Sequence, residues 1–162
     1  MKRALAALLI ALALPLGGCG FTPLYAAPGV ASSLPAIEVI APQGRLGELM
    51  REELNDALGR DLAIPPAYRL DLWYRTDRIG RGLRIDNVVS RYELVLQVEY
   101  RLVDRASGRE LRRRRIKSEV TFDSVDAPYA AIAAQQDAEA RAAADAARRI
   151  HLELAGWFAR PG

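Results

Sequence analysis

Cysteine and histidine, the side chains most often used for metal binding and covalent catalysis, each occur once among the 162 residues. One thiol cannot form a disulfide within the chain, and His151 has no second histidine with which to share a metal ion. The sequence also has no Gly-x-Ser-x-Gly motif and no paired-acid spacing typical of hydrolases. We therefore expect no catalytic residue, no metal and no cofactor, and we predict that the protein is not an enzyme.

The chain also lacks a large excess of charge of one sign. Its 23 basic and 20 acidic residues leave a formal charge of +3. Two of the positive charges, Lys2 and Arg3, stand in an N-terminal segment that we predict to be removed. Because a nucleic-acid-binding surface needs a strong positive charge, this composition gives no support to nucleic-acid binding.

The N-terminal apolar run, from Ala4 to Leu16, is too short to span a membrane, which takes about 20 residues. Lys2 and Arg3 precede the run, and two glycines follow it. A charged start, an apolar stretch of about a dozen residues and small residues at its end are typical of a secretory signal peptide. We predict that residues 1–18 are such a signal.

Cys19 stands directly after Leu16-Gly17-Gly18, a pattern that resembles a bacterial lipobox. In lipoproteins of that class the thiol is acylated and the cysteine becomes the first residue of the mature chain. The resemblance implies lipid attachment at Cys19, and Gly20 in place of aspartate implies export to the outer membrane. An ordinary signal peptide with a stray cysteine and a short buried helix are the alternatives.

Residues 19–35 are mostly small, include proline and glycine, and lack periodicity. We predict a lipidated N-terminus and a tether there. For the part from Phe21 to Tyr25, which carries two aromatic residues, a loop packed on the domain is an equal alternative. The folded domain is predicted to comprise residues 36–160, a typical length for one domain.

Apolar patterns divide this domain into six elements in the order β-α-β-β-β-α. The segments are a short strand at 36–41, an amphipathic helix from Arg45 that ends just before Gly59, strands beginning near Tyr68 and Tyr92, a returning strand containing Ile116, and a helix from Pro128 to about Phe158. Residues 78–87, rich in arginine and glycine, are predicted as a flexible basic connection. We expect an α+β two-layer sandwich with two helices packed on one face of a four-stranded mixed sheet.

The last two strands are predicted to form a hairpin closed by a turn at 104–109, in which Gly108 supplies a positive φ. Apolar residues of both strands share one face only if paired residue numbers have an even sum. With a three- or five-residue loop, the predicted pairs are Glu99 with Arg115, Gln97 with Lys117, and Arg101 with Arg113.

The long helix is alanine-rich, and its inward line is predicted to run from Tyr129 and Ile132 through several alanines to Leu154 and Trp157. At 1.5 Å per residue it is about 45 Å long, which exceeds the strands it would cover. We therefore expect part of this helix to overhang the sheet or to meet a partner.

Residues 19–25, Cys-Gly-Phe-Thr-Pro-Leu-Tyr, are similar to the start of mature chains in the LptE family of lipopolysaccharide-assembly lipoproteins, especially its alphaproteobacterial form. The later order of elements also resembles that family, including Pro128-Tyr129-Ala130 at the start of an alanine- and arginine-rich helix. The resemblance covers essentially all of the mature chain.

This resemblance implies a non-enzymatic lipoprotein on the periplasmic side of the outer membrane. It implies a plug that assists assembly of the LptD β-barrel and binds lipopolysaccharide for insertion into the outer leaflet. The expected partners are therefore an LptD-like barrel, lipopolysaccharide and the membrane that holds the lipid anchor. The alternative is a stand-alone periplasmic lipoprotein that binds an anionic ligand or a cell-wall component.

A run of basic residues on the returning strand is the main candidate for binding lipopolysaccharide: Arg112, Arg113, Arg114, Arg115 and Lys117. Arginine pairs bidentately with phosphates and carboxylates, which lipopolysaccharide carries. Contact with barrel loops or lumen, and plain solvation with Arg115 neutralised by Glu99, are the other interpretations. The family's lipopolysaccharide-contacting residues cannot be matched to single positions of this chain.

A weaker candidate comprises Arg78, Arg81 and Arg84, because no helix follows their glycines as it does in a phosphate-binding loop. Trp73 shares its strand face with charged residues and is predicted either to contact a ligand or to pack against the tether. His151 is predicted to be structural or to lie on the surface.

Overall fold

The computed structural model describes residues 28–83, 89–123 and 127–160. Its elements are α1 (Pro28–Ser33), a 3-10 helix (Leu34–Ala36), β1 (Ile37–Ile40), α2 (Arg45–Leu58), β2 (Tyr68–Leu83), β3 (Val89–Asp104), β4 (Glu110–Asp123) and α3 (Pro128–Phe158). The strands lie in the order β1-β2-β3-β4, with β1 parallel to β2 and the other pairs antiparallel. The predicted α+β fold with a mixed four-stranded sheet and helices on one face is confirmed, and α1 is an additional helix.

The hairpin of β3 and β4 has the predicted register. Glu99 lies opposite Arg115, and the neighbouring pairs follow in the same register until a bulge at Leu102 and Val103. In the connecting turn Gly108 has a φ of 68°. The Asp104 carboxylate accepts hydrogen bonds of 2.7 Å from both the backbone N–H and the hydroxyl of Ser107, and these bonds lower the pKa of Asp104.

The core lies between the sheet and the helices. From the sheet, inward side chains such as Leu70, Leu96 and Val98 are fully buried. From the helices, Met50 and Leu54 of α2 meet them together with one face of α3. The buried positions of α3 are mostly small: Ala138, Ala142, Ala143, Ala146, Ala147, Ile150, Leu154 and Ala155. Small side chains let the backbone of α3 lie close to the layer beneath it.

The predicted tether differs from the structure over its second half. Residues 28–36 fold as α1 and the 3-10 helix, and they bury Val30 and Leu34 in the core. Six helical residues are too few for an apolar period to be recognised, because they make less than two turns. Residues 19–27, including the predicted lipid-attachment site Cys19, lie outside the described residues.

The first turns of α3 are more exposed than the sequence pattern predicts. Tyr129 is 89% exposed and Ile132 is 56% exposed, so neither belongs to the core. At this end Ala131 and Gln135 line a small cavity with Tyr92. The spacing of apolar residues predicts which face of a helix is buried only where another layer packs on that face. The first turns of α3 lack such packing, so Tyr129 and Ile132 stay exposed.

Gly47 permits a close approach between α2 and the segment after β1. A Cβ atom at this position would lie 1.8 Å from the Pro42 carbonyl oxygen. We expect Gly47→Ala to lower the free energy of unfolding by about 1–3 kcal/mol, because the backbone would have to move. Urea denaturation of the purified chain measures this change.

Gly156 on α3 provides the matched control, since no atom lies within 4 Å of a Cβ placed there. Gly156→Ala should raise the free energy of unfolding by about 0.5–1 kcal/mol, because alanine loses less backbone entropy in a helix. Equal unfolding midpoints for the two variants would contradict the steric role of Gly47.

Candidate functional site

Among the described elements, no helix packs on the sheet face opposite the core. We call it the open face; it consists of the odd-numbered residues of β2, of β3 and, from Arg113 onward, of β4, since alternate side chains of a strand point to opposite sides. Its side chains include Trp73, Glu99 and Arg115. The predicted cations of β4 therefore divide between two surfaces. Arg113, Arg115 and Lys117 lie on the open face, whereas Arg112 and Arg114 lie on the side of the helices.

On the open face, Glu99 of β3 lies between two arginines of β4. Arg115 Nη2 donates to Glu99 Oε2 at 2.9 Å, and Arg113 Nη1 donates to Glu99 Oε1 at 3.3 Å. Arg113 also donates to Glu110 at 2.9 Å. The hydrogen bond from Arg115 lowers the pKa of Glu99, and that from Arg113 lowers the pKa of Glu110. The predicted neutralisation of Arg115 by Glu99 is confirmed.

The remaining open-face cation of the run, Lys117, forms an ion pair with Glu119 two residues further along β4. This contact raises the pKa of Lys117 and lowers that of Glu119. Both side chains are about half exposed. Exposed ion pairs of this kind contribute little to stability, so their members can exchange partners at little cost.

Arg112 is held against α3. Its Nε donates to the Tyr100 hydroxyl at 3.2 Å, and its Nη2 lies 3.5 Å from Glu153 Oε2. Tyr100 donates to the same Glu153 oxygen at 2.6 Å. The Arg112 side chain is only 17% exposed. This contact joins the sheet to the helix. The sequence pattern does not reveal it, because it depends on the buried Tyr100 hydroxyl, a donor whose partner lies on another element.

Trp73 adds an aromatic surface to the open face. It is 46% exposed, and the Arg101 guanidinium lies 5.3 Å from its ring centroid. A shallow groove of about 310 Å³ is lined by Trp73, Tyr74, Arg75, Gln97, Glu99 and Arg115. The described part of the predicted tether, α1, contacts α3 on the other side of the sheet. The prediction that this part packs against Trp73 is wrong.

Asp71 is a further open-face residue that the sequence did not single out. It is only 8% exposed, because Arg69 and Arg101 cover it. Arg101 Nη2 donates to Asp71 Oδ2 at 2.9 Å, and Arg69 Nη2 donates to the same oxygen at 3.2 Å. The alternating pattern placed these residues on one face but could not show that they form one cluster with Trp73.

The predicted flexible connection at 78–87 is wrong for its first part, because β2 continues to Leu83. Arg78 lies on the helix side, where it donates to Gln135 at 3.0 Å and its guanidinium lies 5.0 Å from the Tyr92 ring centroid. Arg81 lies on the open face and donates to Glu93 at 2.6 Å. The two do not share a surface. Arg84 lies outside the described residues.

In the described ranges, no group of three or more His, Cys, Asp and Glu side chains could hold a metal ion. His151 is partly buried on α3 beside a groove that Leu34 and Leu58 also line. Burial lowers the pKa of His151. The described helices include none that is long and apolar enough to cross a membrane.

The contact of Tyr100 with Glu153 leads to a prediction about stability and pH. Burial, followed by the hydrogen bond to Glu153, raises the pKa of Tyr100 to about 12. Tyr100→Phe should lower the free energy of unfolding by about 1 kcal/mol at pH 7, because Glu153 loses a donor. A raised pKa stabilises the fold while the hydroxyl is protonated, so this difference should shrink as the pH rises from about 10 to about 12.

Urea denaturation at both ends of that pH range tests the prediction. Tyr129→Phe is the control, since its side chain is 89% exposed and its replacement should change stability at neither pH. A difference between wild type and Tyr100→Phe that stays constant with pH would contradict the proposed role of the hydroxyl.

The family model described as LptE, lipopolysaccharide assembly, matches residues 34–154. A search of curated proteins found no match. Among solved structures, a protein of Caulobacter crescentus assigned as a lipoprotein shares 48% sequence identity, with a TM-score of 0.71 and coverage of 82% of this chain and 98% of that one.

More distant structures share the fold alone. Lipoprotein B of Nitrosomonas europaea has 20% identity and a TM-score of 0.56, covering 75% of this chain and 82% of that one. A minor lipoprotein of Acinetobacter baumannii has 14% identity and a TM-score of 0.51, covering 74% of this chain and 90% of that one.

The family match extends over most of the described residues, from the 3-10 helix to the last turns of α3. The chain therefore belongs to the LptE family of lipopolysaccharide-assembly lipoproteins, a non-enzymatic family of the cell envelope.

Proposed function

We propose that the protein is a lipid-anchored subunit of the lipopolysaccharide export complex in the outer membrane. In this proposal it plugs an LptD-like β-barrel, assists the assembly of that barrel and binds lipopolysaccharide before its insertion into the outer leaflet. Acylation of Cys19 supplies the anchor. Two or three acyl chains on one residue give stable membrane attachment, whereas one chain alone gives only reversible binding.

The observation that carries the proposal is the open face. A sheet covered by helices on one side only leaves a large polar surface without a partner among the described residues. Ion pairs cover this surface on all three long strands, as with Asp71 and Arg101, Glu99 and Arg115, and Lys117 and Glu119. The interior of a large outer-membrane barrel is polar, so a mixed-charge face of this kind suits contact with its wall.

Lipopolysaccharide binding is assigned to the basic residues of β4 that reach the open face. Arg113, Arg115 and Lys117 are about half exposed or more, and they follow one another at every second residue along one strand face. Phosphate groups can take the place of Glu99 between the two arginines, because arginine binds phosphate and carboxylate in the same bidentate way. Trp73 at the adjoining groove offers an apolar ring beside these charges.

The other predicted cations are less suited to binding lipopolysaccharide on the open face. Arg112 is held by Tyr100 and Glu153, and Arg78 by Gln135. Arg114 is exposed on the helix side and donates to the Arg113 carbonyl oxygen at 3.3 Å. We therefore narrow the candidate site from the whole basic run to its three open-face members.

A triple replacement tests this site. The variant Arg113→Gln, Arg115→Gln, Lys117→Gln should bind lipopolysaccharide about tenfold more weakly than wild type, because three charge-assisted contacts are lost. Wild-type binding should weaken as salt is added, and binding by the variant should depend less on salt. The matched control removes three exposed arginines of α3, as Arg141→Gln, Arg148→Gln, Arg149→Gln, and should leave affinity within about twofold.

Glu99→Gln gives the opposite expectation in the same binding assay. Without the Glu99 carboxylate, Arg113 and Arg115 no longer have a competing anion between them. Affinity for lipopolysaccharide should rise several-fold. Equal losses in the triple variant and its α3 control, or weaker binding by Glu99→Gln, would refute the site.

The plug function is tested by extraction of the native chain in mild detergent. A large β-barrel protein should co-purify in a near-equal amount, and mass spectrometry should show acyl chains on Cys19. The Cys19→Ser variant should lose the acyl mass and leave the membrane fraction. A chain that elutes alone would instead favour a stand-alone periplasmic lipoprotein.

A further inference from the structure

A short loop between α2 and β2 exposes apolar side chains at one end of the molecule. We call residues 60–67 the apolar loop. Leu62 at its tip is 89% exposed and Ile64 is 36% exposed. Pro65 and Pro66 follow and fix their own φ angles. An exposed leucine beside an isoleucine on a projecting loop is a surface that gains free energy from contact with an apolar partner.

The apolar loop has a fixed conformation. Arg60 Nη1 donates to the carbonyl oxygen of Pro35 at 2.9 Å and to that of Ile64 at 3.1 Å. The Asp61 carboxylate accepts a hydrogen bond of 2.8 Å from the Ala63 N–H. These contacts hold the loop in place while Leu62 stays on its outer surface. The exposure of Leu62 at the tip is therefore a property of the folded loop.

The loop lies at the same end of the domain as the beginning of the described chain. The Ala67 N–H donates to the Ala36 carbonyl oxygen at 2.9 Å, and the Arg105 N–H donates to the Ala67 carbonyl oxygen at 3.0 Å. The turn after β3 thus stands beside the loop and contributes the exposed cations Arg105 and Arg109. The end of α3 also lies here, since a Cβ atom placed on Gly29 of α1 would lie 2.8 Å from the Phe158 carbonyl oxygen.

This end of the domain is close to the proposed lipid anchor. Residues 20–27 separate Cys19 from the start of α1, and a fully extended segment of that length reaches at most about 30 Å. In the proposed function an acylated Cys19 lies at the bilayer surface, so the end that carries α1 and the apolar loop stays within about 30 Å of that surface. The opposite end, with Ile132, lies roughly 40 Å away along α3.

We propose that the apolar loop inserts Leu62 and Ile64 into the membrane leaflet that holds the acyl chains of Cys19. Arg109, on the neighbouring turn, contacts phosphates of the lipid headgroups. The insertion fixes the orientation of the domain against the bilayer, which an anchor on a chain segment alone does not do. This inference rests on the proposed acylation of Cys19, and the test below separates the two.

The test uses the full lipidated chain, purified from a bacterial host that processes lipoproteins and reconstituted in vesicles of phosphatidylethanolamine and phosphatidylglycerol. Because Cys19 is the only cysteine and its thiol is acylated, Leu62→Cys creates one free thiol for an environment-sensitive fluorophore. Ile132→Cys is the matched control, an exposed apolar position at the opposite end of the molecule. Lipids with nitroxide groups on their acyl chains serve as quenchers, and mass spectrometry reports acylation.

Insertion predicts that the probe at position 62 shifts its emission to shorter wavelengths and is quenched by the nitroxide lipids, while the probe at position 132 shows neither change. An acylated chain in which both probes behave alike, whether quenched or not, overturns the insertion and leaves the anchor intact. A chain that carries no acyl mass overturns the anchor and the insertion with it.

Discussion

The close packing of α3 on the sheet is the constraint on which the rest of the structure depends. Six alanines of the helix are buried, each with no more than 1% of its surface exposed, so the helix lies close to the layer beneath it without large side chains between them. Polar contacts also join the helix to the sheet: among them, Tyr100 donates to Glu153, and Ser118 donates to Asp145 at 2.9 Å. Because this layer covers one side of the sheet, most charged side chains of the strands lie on the other side, while Arg112 and Arg78 on the helix side contact α3.

The alternation of side chains between the two faces of a strand explains why a run of cations need not form one site. On a strand, consecutive residues point to opposite faces, so four arginines in a row supply two to each side. The helix side gives Arg112 a structural contact, while the open face gives Arg113 and Arg115 a shared carboxylate. In the proposed function these cations exchange one anion for another, and exposed pairs allow that exchange better than buried ones.

The parts of the fold that sequence reasoning predicted are those governed by short-range geometry. The alternation of β3 and the turn at Gly108 determine the hairpin register, and that register correctly predicted the pairing of Glu99 with Arg115. The length of β2 was missed, because Gly80 and Gly82 are typical of turns while pairing with β3 across the whole strand overrides that preference. Helix α1 was missed because it is short and is stabilised by contacts with distant residues.

The arginines of β4 also lie on an edge strand of the sheet. β4 is an outer strand, and within the described residues its free edge has no neighbouring strand. A long unpaired edge invites a second copy to add its own strand, the first step of amyloid-like association. Two copies meeting there would bring eight arginines together, a repulsion that opposes self-association. The arginine run therefore disfavours pairing between copies of the chain through this edge.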